Sequence, residues 1–231
     1  MIKSVLVTGA SRGLGKEIAD YLSKRSDYEV INISRTKSVN SNIKNYICDV
    51  SNYNDVKKTF KKIKKVDVLI NNSAITRFSK NQITNFDKII KTNLNGFYYC
   101  SYEAIKLLKK QKNSSIINIS SINGYQAFPN NPGYVSSKGA ILSLTKSFAL
   151  DYGKFKIRVN SISPGYINEG MSKKSYNNLT LRKQRTDRMI IKRWGNASDI
   201  FGAVEYLISE KSSYVTGQDF VIDGGWLSKG L

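Results

Sequence analysis

Short apolar runs alternate with amphipathic stretches along the whole chain, and this alternation constrains the fold more than any other feature. Strand-like runs lie at residues 4–8, 29–33, 44–48, 66–71, 115–120, 157–162 and 219–222. Helical patterns separate them, at about residues 14–24, 53–63, 86–110, 133–152 and 197–209. Several of the strand-like runs are apolar throughout, which is typical of strands covered on both faces. The pattern predicts an α/β fold, a doubly wound parallel sheet of about seven strands flanked by helices.

The chain of 231 residues fits one domain, residues 1–231. No linker or internal repeat divides it. Residues 168–192 differ from the rest because they are polar, basic and weakly periodic. We expect them to form a mobile substrate lid or an inserted pair of helices.

The cysteine content and the apolar runs indicate the cellular compartment in which the protein is expected. Only Cys48 and Cys100 are present, so a disulfide framework is not expected and a reducing cytoplasm is the simplest setting. Residues 4–8 already read as a buried strand, so no secretory signal is expected. No apolar run approaches the roughly 20 residues that cross a bilayer, so no membrane association is expected.

The chain is strongly basic, with 37 Lys and Arg against 17 Asp and Glu, a net charge of +20 and a pI near 9.8. These charges are scattered rather than clustered, so a solvated surface is the favoured interpretation and nucleic-acid binding is not expected. Attraction to an acidic ligand or partner stays open. The chain has no His, so a general acid would have to be Tyr, Lys, Cys or a carboxylate, and no metal site is expected.

The first strand runs directly into a glycine-rich turn, where the first helix begins. Residues 8–15 read TGASRGLG, a Gly-x3-Gly-x-Gly spacing. Glycines permit a sharp turn and let backbone N–H groups approach a phosphate at a helix N-terminus. A plain tight turn would also use glycines, but dinucleotides bind at this position in such sheets. The residues of this turn that are expected to contact a dinucleotide cofactor are Gly9, Ser11, Arg12, Gly13, Leu14 and Gly15.

A tyrosine and a lysine four residues apart are the candidates for acid–base chemistry. A phenol with its ordinary pKa of about 10 exchanges protons slowly at neutral pH, and a neighbouring ammonium lowers that pKa. Residues four apart share one face of a helix. Four Tyr-x3-Lys pairs occur, beginning at Tyr53, Tyr102, Tyr134 and Tyr152, so spacing alone does not select one.

Context favours Tyr134 with Lys138. Tyr134 opens a helix behind Pro132, and small residues follow it that would let a cofactor come close. Ser121 lies thirteen residues earlier, at the end of a predicted strand, where a parallel sheet exposes its ligand-binding edge. Its neighbour Ser120 is the competing candidate for the same role.

Taken in order, these segments resemble the short-chain dehydrogenase/reductase family over essentially the whole chain. The matching segments are the glycine-rich turn, Cys48-Asp49-Val50, Asn71-Asn72-Ser73-Ala74, Asn93, Ser121, Tyr134 with Lys138, Pro164-Gly165 and Asp223-Gly224-Gly225. The resemblance implies a single NAD(P)-binding Rossmann-type domain and an oxidoreductase. It also implies dimers or tetramers built through the two longest helices.

The resemblance assigns a role to each matching residue. Tyr134 would donate a proton to the substrate carbonyl, Ser121 would hold and polarise that carbonyl, and Lys138 would lower the tyrosine pKa and bind the nicotinamide ribose. Asn93 would support a water chain to the lysine, or else serve only as a capping or kinking residue. The remaining expected cofactor contacts are Asp49, Val50, Asn72, Ser73, Ala74, Pro164, Gly165 and Ile167.

Two basic residues favour NADPH/NADP+ over NAD. The second strand ends at Ser34-Arg35, where no carboxylate is present to accept hydrogen bonds from both ribose hydroxyls. Arg35 suits a 2′-phosphate because a guanidinium stays charged and binds bidentately. Arg12 would reach the same phosphate from the other side. The alternative is that both arginines are merely exposed.

The chain departs from the family pattern at Glu169, where a cofactor-binding threonine often stands, and at Ser73-Ala74, where Ala-Gly is usual. A carboxylate near the pyrophosphate would weaken cofactor binding unless it points away.

The sequence constrains the substrate less than it constrains the fold or the cofactor. The basic segment after Glu169 favours an acidic substrate. A 3-oxoacyl thioester carried by acyl carrier protein is the first hypothesis, as in the 3-oxoacyl-acyl-carrier-protein reductases that the chain resembles. Lys112, Lys154 and Lys156 would help to dock that carrier. A sugar or other small polar ketone is the alternative. A non-catalytic nucleotide-binding regulator is the rival from another class.

Overall fold

A single parallel sheet of seven strands forms the centre of the computed structural model, which describes residues 2–229. The strands are β1 (Lys3–Thr8), β2 (Tyr28–Ser34), β3 (Ile43–Ile47), β4 (Val68–Asn71), β5 (Ser114–Ile119), β6 (Ile157–Pro164) and β7 (Asp219–Ile222). Their order across the sheet is β3-β2-β1-β4-β5-β6-β7. The order reverses between β1 and β4, and such a reversal opens a crevice at the carboxyl ends of the strands. All seven strands and the doubly wound topology confirm the prediction.

Helices cover both faces of the sheet. They are α1 (Gly13–Ser23), α2 (Tyr53–Phe60), α3 (Gln82–Ile90), α4 (Gly96–Leu108), α5 (Pro132–Tyr152), α6 (Lys173–Tyr176), α7 (Leu179–Arg188) and α8 (Ser198–Ile208). Alternate residues of β1 point to opposite faces: Leu6 packs with α2, α4 and α5, whereas Val5 and Val7 pack with α1 and α8. Each face therefore has its own buried apolar layer. None of the helices within residues 2–229 is both long and apolar enough to cross a bilayer.

The single helix predicted for residues 86–110 is wrong. The structure has two helices there, joined by a wide π-helical turn at Lys91–Asn95. The first helix starts earlier than expected because the side chain of Asn81 caps it, accepting a hydrogen bond from Thr84 N at 3.0 Å. Within the turn, the side-chain amide of Asn93 forms hydrogen bonds with the backbone N–H and carbonyl of Ile75. The Asn93 side chain therefore does not lie on an exposed helix surface.

The basic segment at residues 168–192 contains a short 3₁₀ turn followed by α6 and α7, which confirms the inserted pair of helices. Its mobility as a lid stays a prediction. The segment is attached at both ends by a bridge between Ile167 and Gly195. Its Met189, together with Trp194 just after the segment, packs on Ile122 and Trp226. This places the two helices over the carboxyl end of the sheet.

Candidate active site

A cleft of about 920 Å³ opens at the carboxyl ends of the strands. The predicted residues on its wall are Gly9, Ser11, Arg12, Gly13, Leu14, Ser34, Arg35, Asp49, Val50, Asn72, Ser73, Ala74, Ser121, Tyr134, Lys138, Pro164, Gly165 and Ile167. Gly15 and Asn93 are the two predicted site residues that do not line it. The structure thus brings the glycine-rich turn and the Tyr134 segment into one cavity.

The glycine-rich turn is shaped by contacts that exclude side chains. Gly9 and Gly13 have φ values of 74° and 59°, in the left-handed region that favours glycine. Gly15 is enclosed instead: a Cβ there would lie 2.6 Å from the carbonyl oxygen of Gly9 and would also overlap the side chain of Asn72. Gly15 therefore shapes the turn by close packing rather than by facing the cleft.

The N-terminus of α1 is open to a ligand. Arg12 occupies the N-cap position, and no side chain caps the helix there. The first N–H groups of a helix need acceptors and carry partial positive charge, so they suit a phosphate. Glycines at the turn keep side chains out of this space. The site therefore fits the pyrophosphate of a dinucleotide.

The end of β2 brings a cluster of polar side chains to the same cavity. The Ser34 hydroxyl donates to the carbonyl of Thr36, and Thr36 Oγ1 donates to Ser11 Oγ at 2.8 Å. Arg12 and Arg35 both line the cleft beside them. Thr36 was not among the predicted residues, since it carries no charge and lies beyond the strand. The group offers hydroxyls and two guanidinium cations to a ligand at the β2 side.

Asp49 stays ionised beside this cluster. It accepts hydrogen bonds from Ser51 N at 2.9 Å and from Ser51 Oγ at 2.7 Å. Burial acts to raise the pKa of Asp49, but those hydrogen bonds and the charges of Arg35 and Lys88 outweigh it, so the pKa lies below its ordinary value. A carboxylate that accepts hydrogen bonds is thus fixed at the β3 end of the cleft.

Asn72 and Ser73 tie the end of β4 to β1. Their backbone N–H groups donate to Thr8 Oγ1 at 2.9 and 3.0 Å, and the Asn72 side chain donates to the carbonyl of Thr8 at 3.0 Å. Thr8 at the start of the glycine-rich turn is therefore explained as an anchor between the two strands. Glu169 also lines the cleft, and its neighbour Gly170 lies so close to Gly13 that a Cβ added at Gly170 would be 3.2 Å from Gly13 Cα.

Lys138 is almost fully buried on α5 and aimed at the end of β5. Its Nζ donates to the carbonyl oxygen of Ile119 at 2.7 Å and lies 5.6 Å from the ring centre of Tyr134. Burial lowers the pKa of Lys138 to about 7. An ammonium has three N–H donors, so two of them remain for groups in the cleft.

The two candidate serines have different partners. Ser120 Oγ donates to the backbone carbonyl of Lys138 at 2.9 Å, so its proton is used to fasten β5 to α5. Ser121 Oγ accepts from the backbone N–H of Asn123 at 3.2 Å, which leaves its own hydroxyl proton free. Ser121 also lies beside the phenol of Tyr134. The structure therefore favours Ser121 as the hydroxyl that faces a ligand.

The pKa of Tyr134 moves against the expected direction. Burial raises it above the ordinary value of a phenol, and the adjacent Ser121 hydroxyl only partly opposes that rise. The sequence predicted a pKa lowered by Lys138. In the structure Lys138 itself loses its charge near pH 7 because it is buried, so it contributes less positive charge than an exposed lysine would.

Asn93 supports the site from behind. It is fully buried, its Oδ1 accepts from Ile75 N at 2.8 Å, and its Nδ2 donates to Ile75 O at 2.9 Å and to Ser137 Oγ at 3.2 Å. Its side chain thus joins the π-helical turn to the loop after β4 and to α5.

The other three Tyr-x3-Lys pairs lie outside the cleft. Tyr53 donates to Glu103 at 2.9 Å, Tyr102 packs under Lys106, and Tyr152 packs against Phe148 on the α4–α5 face.

Among residues 2–229, no group of three or more His, Cys, Asp and Glu side chains is arranged to hold a metal ion. Cleft residues that the sequence did not indicate include Thr76, Lys88, Thr92, Asn123, Phe128 and Asn131, whereas Arg185 belongs to the basic segment after Glu169 that the sequence singled out as a whole.

A parallel sheet with a glycine-rich turn after β1, and a Ser, Tyr and Lys group at the end of β5, defines an oxidoreductase of the dinucleotide-binding class. The family model described as Enoyl-(Acyl carrier protein) reductase matches residues 9–227. The chain belongs to the short-chain dehydrogenase/reductase family and acts on the CH–OH/C=O couple.

Relatives cover nearly all of the chain. It is 35% identical to the 3-oxoacyl-(acyl-carrier-protein) reductase FabG of Buchnera aphidicola subsp. Schizaphis graminum, over 96% of each chain. The ligand-free aldohexose dehydrogenase of Thermoplasma acidophilum has a TM-score of 0.91 at 30% identity, covering 99% of this chain and 95% of that one. The structure of ElxO with NADP bound has a TM-score of 0.88 at 32% identity, covering 99% and 100%.

Proposed function

We propose that the protein reduces a ketone to a secondary alcohol with NADPH, and that the ketone is a 3-oxoacyl thioester. One observation carries the proposal: Ser121, Tyr134 and Lys138 share a cleft with an uncapped helix N-terminus that fits a dinucleotide. When bound there, the nicotinamide cofactor supplies a hydride for the carbonyl carbon. The residues then have to orient the ketone and deliver one proton to its oxygen.

Ser121 and Tyr134 would divide the work at the carbonyl oxygen. The hydroxyl of Ser121 has its proton free, so it donates a hydrogen bond that stabilises negative charge on that oxygen. The phenol of Tyr134 donates the proton itself. The raised pKa of Tyr134 keeps the phenol protonated at neutral pH, which suits a donor in the direction of reduction.

Lys138 would replace the proton that Tyr134 gives up. Its pKa of about 7 places it between the charged and neutral forms at neutral pH, where proton transfer in either direction costs little. The remaining N–H donors would bind a ribose hydroxyl of the cofactor. Asn93 touches neither substrate nor cofactor, so we assign it the role of a positioning residue that holds the loop after β4 against α5.

The cofactor proposal is supported by charge. Arg12 and Arg35 both line the β2 side of the cleft, and Ser34 stands where an NAD-binding site would place a carboxylate. ElxO, a structural neighbour at 32% identity, binds NADP. Both observations favour NADPH over NADH.

The substrate proposal is supported by the names of relatives such as the Buchnera FabG, which act on a thioester of acyl carrier protein. We propose acyl carrier protein as the partner, docked through Lys112, Lys154 and Lys156, and a homodimer or homotetramer as the assembly. A cytoplasmic location also stays a proposal, consistent with Cys48 and Cys100, which are buried and unpaired.

A sugar or other small polar ketone is the second candidate. The Thermoplasma aldohexose dehydrogenase resembles the whole chain at 30% identity. The cleft wall also presents the amides of Asn123 and Asn131. Hydroxyl groups of a sugar can donate to and accept from amides.

The discriminating experiment measures NADPH oxidation with three kinds of compound. They are acetoacetyl-N-acetylcysteamine, its 2-enoyl counterpart crotonyl-N-acetylcysteamine, and the glucose-derived 2-oxo and 5-oxo sugar acids. We expect turnover of the 3-oxo thioester and none of the enoyl thioester. Turnover of the sugar acids alone would support the second candidate. No turnover of any carbonyl compound, together with salt-sensitive binding of DNA, would contradict the proposal in favour of the regulator.

A further inference from the structure

Arg185 lies on α7 and lines the same cleft as Ser121 and Tyr134. Its guanidinium carbon sits 4.6 Å from the ring centre of Tyr166 and 5.8 Å from that of Trp194. Two aromatic rings therefore hold the planar cation in one orientation. A guanidinium held in this way is prearranged to bind a ligand.

The hydrogen-bonding capacity of Arg185 is only partly used within the chain, because its guanidinium bonds the phenol of Tyr166 but one of its nitrogens is left over. Its Nη1 atom is buried and has no hydrogen-bond partner in the structure. Within residues 2–229, no carboxylate lies within 4.0 Å of its guanidinium nitrogens. A buried N–H of a charged group without an acceptor is costly, so a ligand, an ion or a water is expected to supply the acceptor for this nitrogen.

The two other arginines of α7 lack this combination. Arg182 stacks on Tyr176 at 4.9 Å and Arg188 on Trp226 at 4.7 Å, so stacking on an aromatic ring is common to all three. Neither of those two lines the cleft. Arg185 is thus distinguished by its position in the cavity and by its unsatisfied nitrogen.

Two amide oxygens in the same cleft also lack hydrogen-bond partners. Asn131 is 7% exposed, and its Oδ1, like that of Asn123, is buried without a hydrogen bond. Both flank the proposed catalytic residues in sequence, at two residues after Ser121 and three before Tyr134. An amide oxygen needs a hydroxyl or N–H donor. Together with Arg185, these amides indicate a substrate that carries an oxyanion as well as neutral polar groups.

We propose that Arg185 binds an oxyanion of the substrate and thereby sets substrate specificity. The proposal rests on the proposed function of the same cleft. A carboxylate and a phosphate each present two oxygens that a guanidinium can bind through two parallel N–H groups. Two groups can supply this oxyanion. One is the carboxylate of a free 3-oxo acid, and the other is the phosphate of a phosphopantetheine arm that carries a 3-oxoacyl thioester.

Kinetics on three substrates separate these sources. Acetoacetate carries a carboxylate, acetoacetyl-4′-phosphopantetheine carries a phosphate, and acetoacetyl-N-acetylcysteamine carries neither. We expect Arg185→Gln to lower kcat/KM about tenfold or more for at least one anionic substrate, and less than twofold for the neutral one. A loss confined to acetoacetate identifies the carboxylate, and a loss confined to the phosphopantetheine thioester identifies the phosphate. Equal losses for all three substrates, or no loss for any, would overturn the proposal.

Two further variants control for structure. Arg182→Gln removes a stacked arginine of the same helix outside the cleft, and we expect it to leave all three kcat/KM values within twofold of the wild type. Arg185→Lys keeps the charge but loses the two-pronged contact, so it should recover part of the loss seen for the anionic substrate. If Arg185→Lys and Arg185→Gln were equally impaired for neutral and anionic substrates, misfolding of α7 would explain the effect and the proposal would fail.

A binding measurement decides the question even if the wild type turns over none of these compounds. The only two tryptophans, Trp194 and Trp226, both pack beside Tyr166 next to Arg185, so their fluorescence reports on this site. Acetoacetate and 4′-phosphopantetheine are titrated into the NADP+-bound protein. We expect saturable binding of at least one, weakened about tenfold or more in Arg185→Gln. Absence of turnover would count against the proposed function, whereas equal or absent binding in both proteins would overturn the role of Arg185.

Discussion

Ser120 and Lys138 are joined by a hydrogen bond of 2.9 Å from the serine hydroxyl to the lysine backbone carbonyl. The lysine side chain returns to the same strand end, where its Nζ donates to Ile119 O at 2.7 Å. This reciprocal contact fixes α5 to the end of β5. Both Ser120 and Ser121 line the cleft, but the Ser120 hydroxyl already donates its hydrogen bond to Lys138 O, so Ser121 is the serine whose hydroxyl can donate to a ligand.

The burial of Lys138 predicts a pH-dependent stability. Its pKa falls from 10.5 to about 7 on folding, so the unfolded chain binds more protons between those values. Its contribution to the free energy of unfolding is therefore most unfavourable below pH 7 and disappears as the pH rises towards 10.5. We compare the free energy of unfolding of Lys138→Met with that of the wild type, both without cofactor. The difference in favour of the variant should be about 3 to 5 kcal/mol larger at pH 6 than above pH 10.

Urea unfolding of both proteins at pH 6, at pH 8 and just above pH 10 tests this prediction, with the gap expected to shrink at each step. Lys146→Met, an exposed lysine on the same helix, is the matched control and should show little pH-dependent difference. A gap for Lys138→Met that stays constant across the pH range would show that the lysine is not buried as a neutral amine.

Arg35 is predicted to select the cofactor. Arg35→Asp removes a cation at the β2 end of the cleft and adds a carboxylate that can accept from ribose hydroxyls. Loss of a charge-assisted hydrogen bond to a phosphate corresponds to a ten- to hundredfold rise in the Kd for NADPH, since each tenfold is about 1.4 kcal/mol. Binding of NADH should tighten. The Kd values of both cofactors measure the effect, and an unchanged ratio between them would remove Arg35 from this role.

Gly15 tests the packing of the glycine-rich turn. A Cβ at that position would meet Gly9 O at 2.6 Å. Gly15→Ala should therefore destabilise the protein by about 1 to 3 kcal/mol through overpacking and weaken NADPH binding. Gly202→Ala is the control, because a Cβ there has no atom within 4 Å and alanine favours helix α8 by up to about 1 kcal/mol. Thermal unfolding should shift down for the first variant and slightly up for the second. Equal shifts would mean that the turn tolerates a side chain.

Much of this architecture was visible in the chain itself. The seven strands and the glycine-rich turn followed from apolar runs that are buried on both faces, which leave a strong pattern. The break between α3 and α4 could not be predicted from the sequence, because the apolar periodicity of a helix continues through residues 86–110. What interrupts it is the contact of Asn93 with Ile75, a bond across eighteen residues that periodicity does not report.

The candidate site residues were predictable where the surrounding sequence distinguishes one residue from others of its type. Tyr134, Lys138 and Ser121 were selected by context, and the structure places all three on the cleft. The direction of the Tyr134 pKa was not predictable, since it depends on how deeply both side chains are buried. Arg185 was one of many basic residues after Glu169. Only its position on the cleft wall and its unpaired nitrogen separate it from the other arginines of α7.

The most direct test of the account compares two tyrosine variants, because both residues belong to Tyr-x3-Lys pairs and only one faces the cleft. Tyr134→Phe removes the proposed proton donor, and Tyr102→Phe removes a phenol outside the cleft. With saturating NADPH and a 3-oxo substrate, kcat should fall a hundredfold or more in Tyr134→Phe and stay within about twofold of the wild type in Tyr102→Phe. The Kd for NADPH should change little in either. A Tyr134→Phe protein that retained more than about a tenth of wild-type kcat would contradict the central claim.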